Sequence, residues 1–319
     1  MTDQGLPSAG AQALYLRARL YSAIRDYFAR QAVLEVETPV LSHAAVTDPA
    51  IHSFALPVAG QTCYLHTSPE FPMKRLLAAG SGDIYQICRV FRDGERGRNH
   101  NPEFAMLEWY RVGFDHHELM REVDDLLHQV WPGSAPGPSR YLSYAGAVRQ
   151  ATGFLPWELD GERIAEILRR HGTEPPDMGD DIDGWLDLLI THVVAPGFEP
   201  DCLTFIYDYP ASQAALARVR DDGEVALAER FEVYYGEREL GNGFHELNRS
   251  AEQRARFEAD NAKREAQGLP LMPADERLLA TLDKLPDCAG VAIGLDRLLM
   301  VIGAYQSIDE VLSFDFDRA

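Results

Sequence analysis

The sequence predicts an α+β fold in which helices flank an antiparallel sheet. Two observations favour this class. Strand-like segments such as 83–91 and 104–110 follow one another as hairpins, without the regular alternation of strand and helix typical of βαβ units. Several helical segments instead lie together, in an insertion at about 132–200. The 319 residues, 46% of them hydrophobic, are enough to bury a substantial core.

Composition excludes several classes of function. The 50 acidic and 30 basic residues give a formal net charge of -20, which repels polyanions, and no basic segment is large enough to hold a long nucleic acid. The sequence has no run of about 18 apolar residues and no signal-peptide pattern at its start, so we expect a cytoplasmic protein without a membrane partner. The scattered cysteines lack CxxC spacing and indicate reduced core thiols.

The first hundred residues read as a helix followed by extended segments. Residues 1–10 contain Gly, Ser and Pro, and we expect them to be disordered. Residues 34–41 (LEVETPVL) read as extended, with Pro39 favouring a sheet edge or a turn. The apolar stripe of the first helix consists of Leu16, Leu20, Ile24, Tyr27 and Phe28.

A second helix is defined by its end signals. Ser68 can cap its start, Pro69 suits the first turn, and Glu70 complements the helix dipole. Gly80 can end it.

A hairpin follows, and its loop concentrates positive charge. The loop FRDGERGRNHNPEF (91–104) holds three arginines and a histidine, so it indicates either a site for a small anion or a solvated hairpin tip. In the returning strand, period-two alternation places Glu108 and Tyr110 on one face. A glutamate buried in a strand requires a partner.

The second half of the chain alternates between linkers, helices and strands. Residues 131–140 read as a linker and 171–181 as a loop, on either side of helical segments. Strand character returns at 203–210 and 229–235, and residues 288–303 pass from a strand into a helix. Ser250 and Gln253 resemble a capping box that opens another helix.

Three separated pieces carry the chemistry. Arg92 ends one strand and Arg297 begins a helix, and two such guanidinium groups can clamp a triphosphate together with the N–H groups at the helix start. Two glutamates near the same phosphates, Glu239 and Glu246, imply Mg²⁺ between them. Each piece alone also fits a surface ion pair or a solvated hairpin.

The spacing of the two glutamates requires an irregular strand. Glu239 and Glu246 are seven residues apart, which puts them on opposite faces of a regular strand. Gly241 and Gly243 make a bulge or bend possible.

These segments resemble the class II aminoacyl-tRNA synthetases. LEVETPVL resembles motif 1, FRDGERGRNHNPEFAMLEWY motif 2 and GVAIGLDRLLM motif 3, and RELGNGFHELN is similar to the lysyl branch. The resemblance covers nearly all of residues 12–319. It implies a catalytic domain at 11–319 with a six-stranded antiparallel sheet, a bent ATP, amino-acid adenylation and a homodimer formed through motif 1.

No anticodon-binding domain is expected, because motif 1 begins almost at once. In this respect, and in HTSPEFPMKRLL and YPASQAALA, the chain resembles the truncated paralogues of lysyl-tRNA synthetase that attach (R)-β-lysine to a lysine of elongation factor P. The resemblance implies elongation factor P as the partner and no tRNA. The alternatives are a minimal synthetase that charges an RNA acceptor and an inactive paralogue that senses an amino acid.

The resemblance also implies roles for individual residues. Arg92 holds the α-phosphate and the substrate carboxylate, Arg297 holds the γ-phosphate, and Glu239 and Glu246 bind Mg²⁺. The residues implied to bind ATP are Arg92, Asp93, Gly94, Asn101, Glu239, Leu240, Gly294 and Arg297. The residues implied to bind the amino acid are Ser68, Pro69, Glu70, Glu108, Tyr110, Glu246 and Ala292.

Two positions depart from the lysyl-tRNA synthetase pattern. Gly94 stands where motif 2 usually has glutamate, and Glu95 follows it, which leaves the adenine contacts of this loop open. Ala292 stands where glycine is usual, and its methyl group can reshape the pocket for a β-amino acid.

Overall fold

A nine-stranded mixed sheet forms the centre of the structure. The computed structural model of the chain describes residues 5–133, 135–223 and 225–319. The strand order is β1-β5-β6-β12-β11-β10-β8-β7, and β9 pairs with β10. These strands are β1 Leu34–Glu35, β5 Ile84–Phe91, β6 Glu103–Val112, β7 Gly137–Ser143, β8 Cys202–Pro210, β9 Val219–Asp221, β10 Ala226–Tyr235, β11 Arg238–His245 and β12 Cys288–Gly294. A second sheet, β2-β4-β3, consists of β2 Leu41–Ser42, β3 Ala55–Val58 and β4 Gln61–Leu65.

The inner strands confirm the predicted sheet, and the edges differ. From β5 to β8 the six inner strands are antiparallel to their neighbours. The outer strands β1 and β7 pair in parallel with β5 and β8, so the sheet is mixed and larger than expected.

Helices cover both faces of the sheet. The described residues form α1 Ala11–Arg30, α2 Glu70–Ala78, α3 His116–Val130, α4 Tyr144–Thr152, α5 Gly161–Arg170, α6 Ile182–Leu189, α7 Ser250–Ala266, α8 Glu276–Leu282 and α9 Leu295–Ile302. Helices α1, α3 and α9 bury the largest apolar core against one face, here called the back face. Helices α2, α7 and α8 pack on the opposite, front face. No helix among the described residues has both the length and the hydrophobicity to cross a bilayer.

The segment interpreted as a linker is partly a strand. Residues 137–143 pair in parallel with β8, because the following helices α4, α5 and α6 pack against β8 and β10 and hold this segment at the sheet edge. The prediction of a linker over 131–140 is therefore wrong for its second half. The predicted loop at 171–181 is confirmed, since it contains no helix or strand.

The start of the chain is more ordered than its composition suggests. The backbone N–H groups of Ser8 and Ala9 donate to the carbonyls of Ser313 and Leu312, and Ala9 is buried. The expectation of disorder through residue 10 is therefore wrong at its C-terminal end, because pairing with the C-terminal segment satisfies this backbone. Residues 1–4 lie outside the described part of the chain.

A β-bulge resolves the spacing of the two glutamates. Tyr234 pairs with Glu239 and Val233 with Gly241, so Leu240 is an extra residue in β11. One extra residue reverses the alternation and places Glu239 and Glu246 on the same face. The irregularity is at Leu240, and the glycines have another role. A Cβ at Gly241 would overlap the carbonyl of Ala292, so this residue permits close strand contact.

Candidate active site

The front face of the sheet carries a large cavity with an acidic end. It measures about 840 Å³, within the range of small-molecule sites, and strands β6, β11 and β12 form its floor beside α2. We call it the acidic cavity. Its lining includes Ser68, Glu70, Glu108, Tyr110, Glu246 and Ala292, which the sequence assigns to amino-acid binding.

Glu108 lies at the floor of the acidic cavity with both oxygens satisfied. Its Oε1 accepts from the Tyr110 hydroxyl and its Oε2 from the Ser68 hydroxyl, each at 2.7 Å, and its exposure is 2%. Burial, and then the charge of Glu70, raises the pKa of Glu108 to about 8. The requirement for a partner predicted for this glutamate is thus met by two hydroxyl groups.

Lys74 is a buried residue that contacts two lining residues of this cavity, and sequence reasoning missed it. Its ammonium, 1% exposed, lies 2.5 Å from Glu246 Oε2 and 2.6 Å from Glu70 Oε1. Burial alone would lower the pKa of Lys74, but the two carboxylates outweigh it and raise this pKa. The pKa of Glu246 is raised to about 7, mainly by burial. The four-residue spacing of Glu70 and Lys74 on a predicted helix was the available signal.

The acidic end has more negative than positive groups. Glu70, Glu108 and Glu246 converge there around the single ammonium of Lys74. A ligand ammonium placed beside Glu108 would compensate the remaining carboxylate charge, and it would favour ionisation of Glu108.

Gly290 determines the width of the acidic cavity. A Cβ at this position would overlap the Tyr110 ring and lie 2.5 Å from Glu246 Oε1. Only glycine allows β12 to pass this close to both side chains.

A second, smaller cavity adjoins the first and contains both predicted arginines. We call it the arginine cavity; it measures about 90 Å³. The predicted ATP-binding residues that line it are Arg92, Asn101, Glu239, Leu240, Gly294 and Arg297. The wall shared with the acidic cavity consists of Arg92, Met106, Asn242 and Ala292. Guanidinium groups from distant parts of the chain therefore converge on one space.

The two arginines are engaged by groups of the protein itself. Arg297 Nη2 lies 2.6 Å from His100 Nε2, and its Nη1 lies 3.4 Å from Glu239 Oε2. Arg92 pairs with Glu95 at 3.4 Å, and within the described part of the chain its buried Nε has no hydrogen-bond partner. Burial, and then the charge of Arg297, lowers the pKa of His100, so the neutral ring can accept this bond. A nucleotide needs more than 90 Å³, so phosphate oxygens would replace these contacts.

The carboxylates of the front face suit a divalent cation. The Glu239 side chain is 41% exposed, and its partial desolvation, followed by the charge of Glu232, raises its pKa. Such mutual repulsion is relieved by a hard cation with oxygen ligands. Glu239 lines the arginine cavity, whereas Glu246 lines the acidic cavity and contacts Lys74. Shared ligation of Mg²⁺ by Glu239 and Glu246 stays a prediction.

Three of the residues assigned from the sequence line neither cavity. Pro69 is the N-cap of α2, Asp93 donates its backbone N–H to the His52 carbonyl, and Gly94 adopts a φ of 79° in the adjoining turn. Glu95 lines the arginine cavity instead of Gly94.

Asn101 lines the arginine cavity, yet its amide is used within the protein. It donates to the carbonyl of Glu103 and accepts from the backbone N–H of Phe316. In the structure it thus fixes the C-terminal segment beside the cavity.

Comparison with known proteins gives consistent matches over the whole chain. The family model of tRNA synthetases class II (D, K and N) matches residues 8–318. The chain is 46% identical over 322 residues to the elongation factor P–(R)-β-lysine ligase of Vibrio cholerae serotype O1, covering 98% of each protein. It is 47% identical over 323 residues to the ligase of that name from Klebsiella pneumoniae (strain 342), again covering 98% of each. The ligase of that name from Photobacterium profundum is 46% identical over 327 residues, with complete coverage of both proteins.

Proposed function

Because the chain belongs to the class II tRNA synthetase family, and within it to the elongation factor P–(R)-β-lysine ligases, we propose that it activates (R)-β-lysine with ATP and transfers it to elongation factor P. The observation that carries this proposal is the pair of adjoining cavities of opposite character. One presents carboxylates for the ammonium groups of the amino acid, and the other presents two guanidinium groups for phosphates. Their common wall is where the two substrates would react.

The first reaction is adenylation. An oxygen of the lysine carboxylate attacks the α-phosphorus of ATP, the new P–O bond forms, and pyrophosphate leaves. Arg92 lines both cavities, so it can contact the substrate carboxylate and the α-phosphate together. Arg297, at the other side of the arginine cavity, can hold the γ-phosphate. Positioning and charge neutralisation then supply the catalysis without a protein nucleophile.

The amino acid is oriented by its ammonium groups. Glu108 and Tyr110 lie on the floor of the acidic cavity, and Ser68 and Glu70 lie at the start of α2. Lys74 holds Glu246 and Glu70 in place before the substrate binds. A fixed carboxylate arrangement reduces the cost of ordering the site on binding.

The family also implies a divalent metal. Glu239 and Glu246 are the proposed ligands, and the repulsion between Glu232 and Glu239 fits a cation at this end of the site. Mg²⁺ would neutralise charge on the phosphates.

The second reaction is acyl transfer. The neutral ε-amine of an acceptor lysine attacks the carbonyl carbon of the acyl-adenylate, a C–N bond forms, the bond to AMP breaks, and the amine loses a proton. An acceptor with a basic surface would be attracted by the net charge of -20, so the rate should fall with salt. We further propose a cytoplasmic homodimer that does not use tRNA.

Competition between acceptors tests this function. Labelled (R)-β-lysine or α-lysine is incubated with ATP, elongation factor P and tRNA together, and each product is analysed by intact mass spectrometry or gel. We expect one lysyl group on elongation factor P and none on tRNA. Label on tRNA would favour the minimal synthetase instead. Binding of the amino acid without transfer to either acceptor would favour the inactive sensing protein.

A further inference from the structure

A cluster of histidines and carboxylates lies on the back face of the sheet, outside both cavities. His116, Glu229 and His245 each offer a ligand atom, and these atoms all lie within 4.8 Å of one another. Glu229 and His245 alternate along β10 and β11 with Arg230 and Phe244, which line the acidic cavity. His116 begins α3, which packs on the back face.

Both histidines have one nitrogen bound to a supporting carboxylate. His116 Nε2 lies 3.1 Å from Asp208 Oδ1, and His245 Nε2 lies 2.8 Å from Asp287 Oδ1. A histidine that binds a metal usually donates its other ring N–H to a carboxylate in this way, which fixes the tautomer and orients the ring.

In each histidine the second ring nitrogen, Nδ1, is not the one that contacts the supporting aspartate. His116 is 3% exposed, and its buried Nδ1 has no hydrogen-bond partner among the residues that the structure describes. A buried polar atom without a hydrogen-bond partner lowers the stability of the fold, so it indicates that a ligand binds to this nitrogen. His245 Nδ1 already lies 2.6 Å from Glu229 Oε2, so the remaining two ligands are in contact.

The supporting aspartates are themselves held by arginines. Arg220 lies 2.6 Å from Asp208 Oδ2, and Arg218 lies 2.6 Å from Asp287 Oδ1. These arginines neutralise the charge of the two aspartates. Glu229 is the negatively charged group among the three candidate ligands, and its contact with Arg220 is long, at 3.9 Å. Asp208 also has a φ of 61°, a left-handed conformation uncommon for aspartate.

We propose that His116 Nδ1, His245 Nδ1 and a Glu229 carboxylate oxygen form a site for a transition-metal dication, best matched by Zn²⁺. Two imidazoles and one carboxylate are a typical zinc donor set, and water completes a tetrahedron. Bond lengths of about 2.0–2.1 Å place tetrahedral ligand atoms roughly 3.4 Å apart, so only small movements are needed. The ion would join the start of α3 to the two strands directly behind Glu246. This site is independent of the proposed function.

Zinc titration of the full-length chain tests the site. Protein freed of metal by a chelator is titrated with Zn²⁺ by calorimetry, and with Co²⁺ by visible absorption, without any substrate. We expect one ion per chain with a dissociation constant below about 1 µM, and intense Co²⁺ bands typical of four-coordination. Glu229→Gln, which keeps shape, and His116→Asn should each weaken binding by about tenfold or more.

Two further variants control for other sites and for folding. His128→Ala removes a half-buried histidine of the same helix whose Nδ1 pairs with Asp124, outside the three candidate ligands, and it should leave the affinity unchanged. Glu239→Gln should also leave it unchanged, since it removes a front-face carboxylate. Affinity that is insensitive to both Glu229→Gln and His116→Asn would overturn the proposal, and so would binding weaker than about 100 µM. If His116→Asn does not fold, Glu229→Gln alone decides.

Discussion

The two cavities of the front face share a wall but differ in how ready they are for a ligand. The acidic cavity is wide, and its polar groups are already held: Glu70 by the buried Lys74, and Glu108 by Tyr110. The arginine cavity is small, and its two arginines contact carboxylates and a histidine of the protein. The acidic cavity is thus preorganised, whereas a nucleotide entering the arginine cavity would have to replace internal contacts with contacts to its phosphate oxygens.

The difference has an electrostatic cause. A buried carboxyl group can stay protonated, and therefore neutral, until a cation binds. The raised pKa of Glu108 is consistent with this. Guanidinium groups cannot lose their charge, so they require anionic or accepting partners at all times. Self-neutralisation is therefore expected on the arginine side.

The largest effect is expected when the charged side chain that lines both cavities is removed. Arg92→Ala removes the guanidinium that lines both, so lysine-dependent ATP–pyrophosphate exchange should fall by about 10²–10³-fold. Arg98→Ala is the control, because Arg98 lies in the same loop, its side chain donates hydrogen bonds to Gln306, and it lines neither cavity. Thermal melts should show both variants folded. Near-normal exchange in Arg92→Ala would contradict the assignment.

The second largest effect is expected from a substitution in the acidic cavity, and it should change the affinity for the amino acid alone. Glu108→Gln removes a charge that an ammonium would contact, so the affinity for (R)-β-lysine should fall about 10–100-fold while that for ATP changes little. Calorimetric titration with each ligand measures this. Glu103→Gln, at an exposed position of the same strand, should change neither affinity. Equal losses for both ligands would mean that the two cavities are not separate.

Glu108 should also make stability depend on pH. Its pKa is raised from 4.5 to about 8 in the folded protein, so its contribution to stability is complete below about 4.5 and is lost as the pH rises through about 8. Glutamine stays neutral throughout. Glu108→Gln should therefore be more stable than the parent by on the order of 4 kcal/mol at pH 9, and within about 1 kcal/mol of it at pH 5. Denaturant unfolding at both pH values checks the sign, and no pH-dependent difference would refute it.

Alanine substitutions at two glycines, one in each cavity, test the two cavities separately by a steric effect. Gly290→Ala forces a methyl group against Tyr110 and Glu246, which should cost about 1–3 kcal/mol of stability and weaken lysine binding. In Gly294→Ala the new Cβ would meet the Leu240 carbonyl at 3.7 Å, an ordinary contact, at a φ of -73°. Its fold should be normal, and any loss should appear in the KM for ATP. Similar melting temperatures for the two variants would count against this distinction.

The smallest effect concerns the shared wall. Ala292→Gly removes one methyl group that borders both cavities, so the ratio of kcat/KM for (R)-β-lysine over α-lysine should fall by about tenfold or less. ATP-dependent exchange with each amino acid measures this ratio. An unchanged ratio would show that selectivity arises elsewhere in the cavity.

Local sequence signals predicted much of this architecture. The helix end signals around Ser68 and Gly80 identified α2, and the hairpin around the basic loop placed Arg92 at a strand end. Period-two alternation put Glu108 and Tyr110 on one face, where they are hydrogen-bonded. Such patterns are readable because they depend on residues a few positions apart.

Tertiary structure alone decided the rest, because it depends on contacts between distant segments. The strand character of 137–143 comes from its pairing with β8, and the order of Ser8 and Ala9 from the C-terminal segment. Three groups of contacts join side chains from separate elements. They are the pair of Lys74 and Glu246, the contact of Arg297 with His100, and the back-face cluster. The sequence by itself determined which charged groups this protein has and on which local faces they lie. Only the packing of the sheet and its helices decided which of these charged groups are in contact. A buried charge without a partner is costly, so the packing must bring an opposite charge beside it.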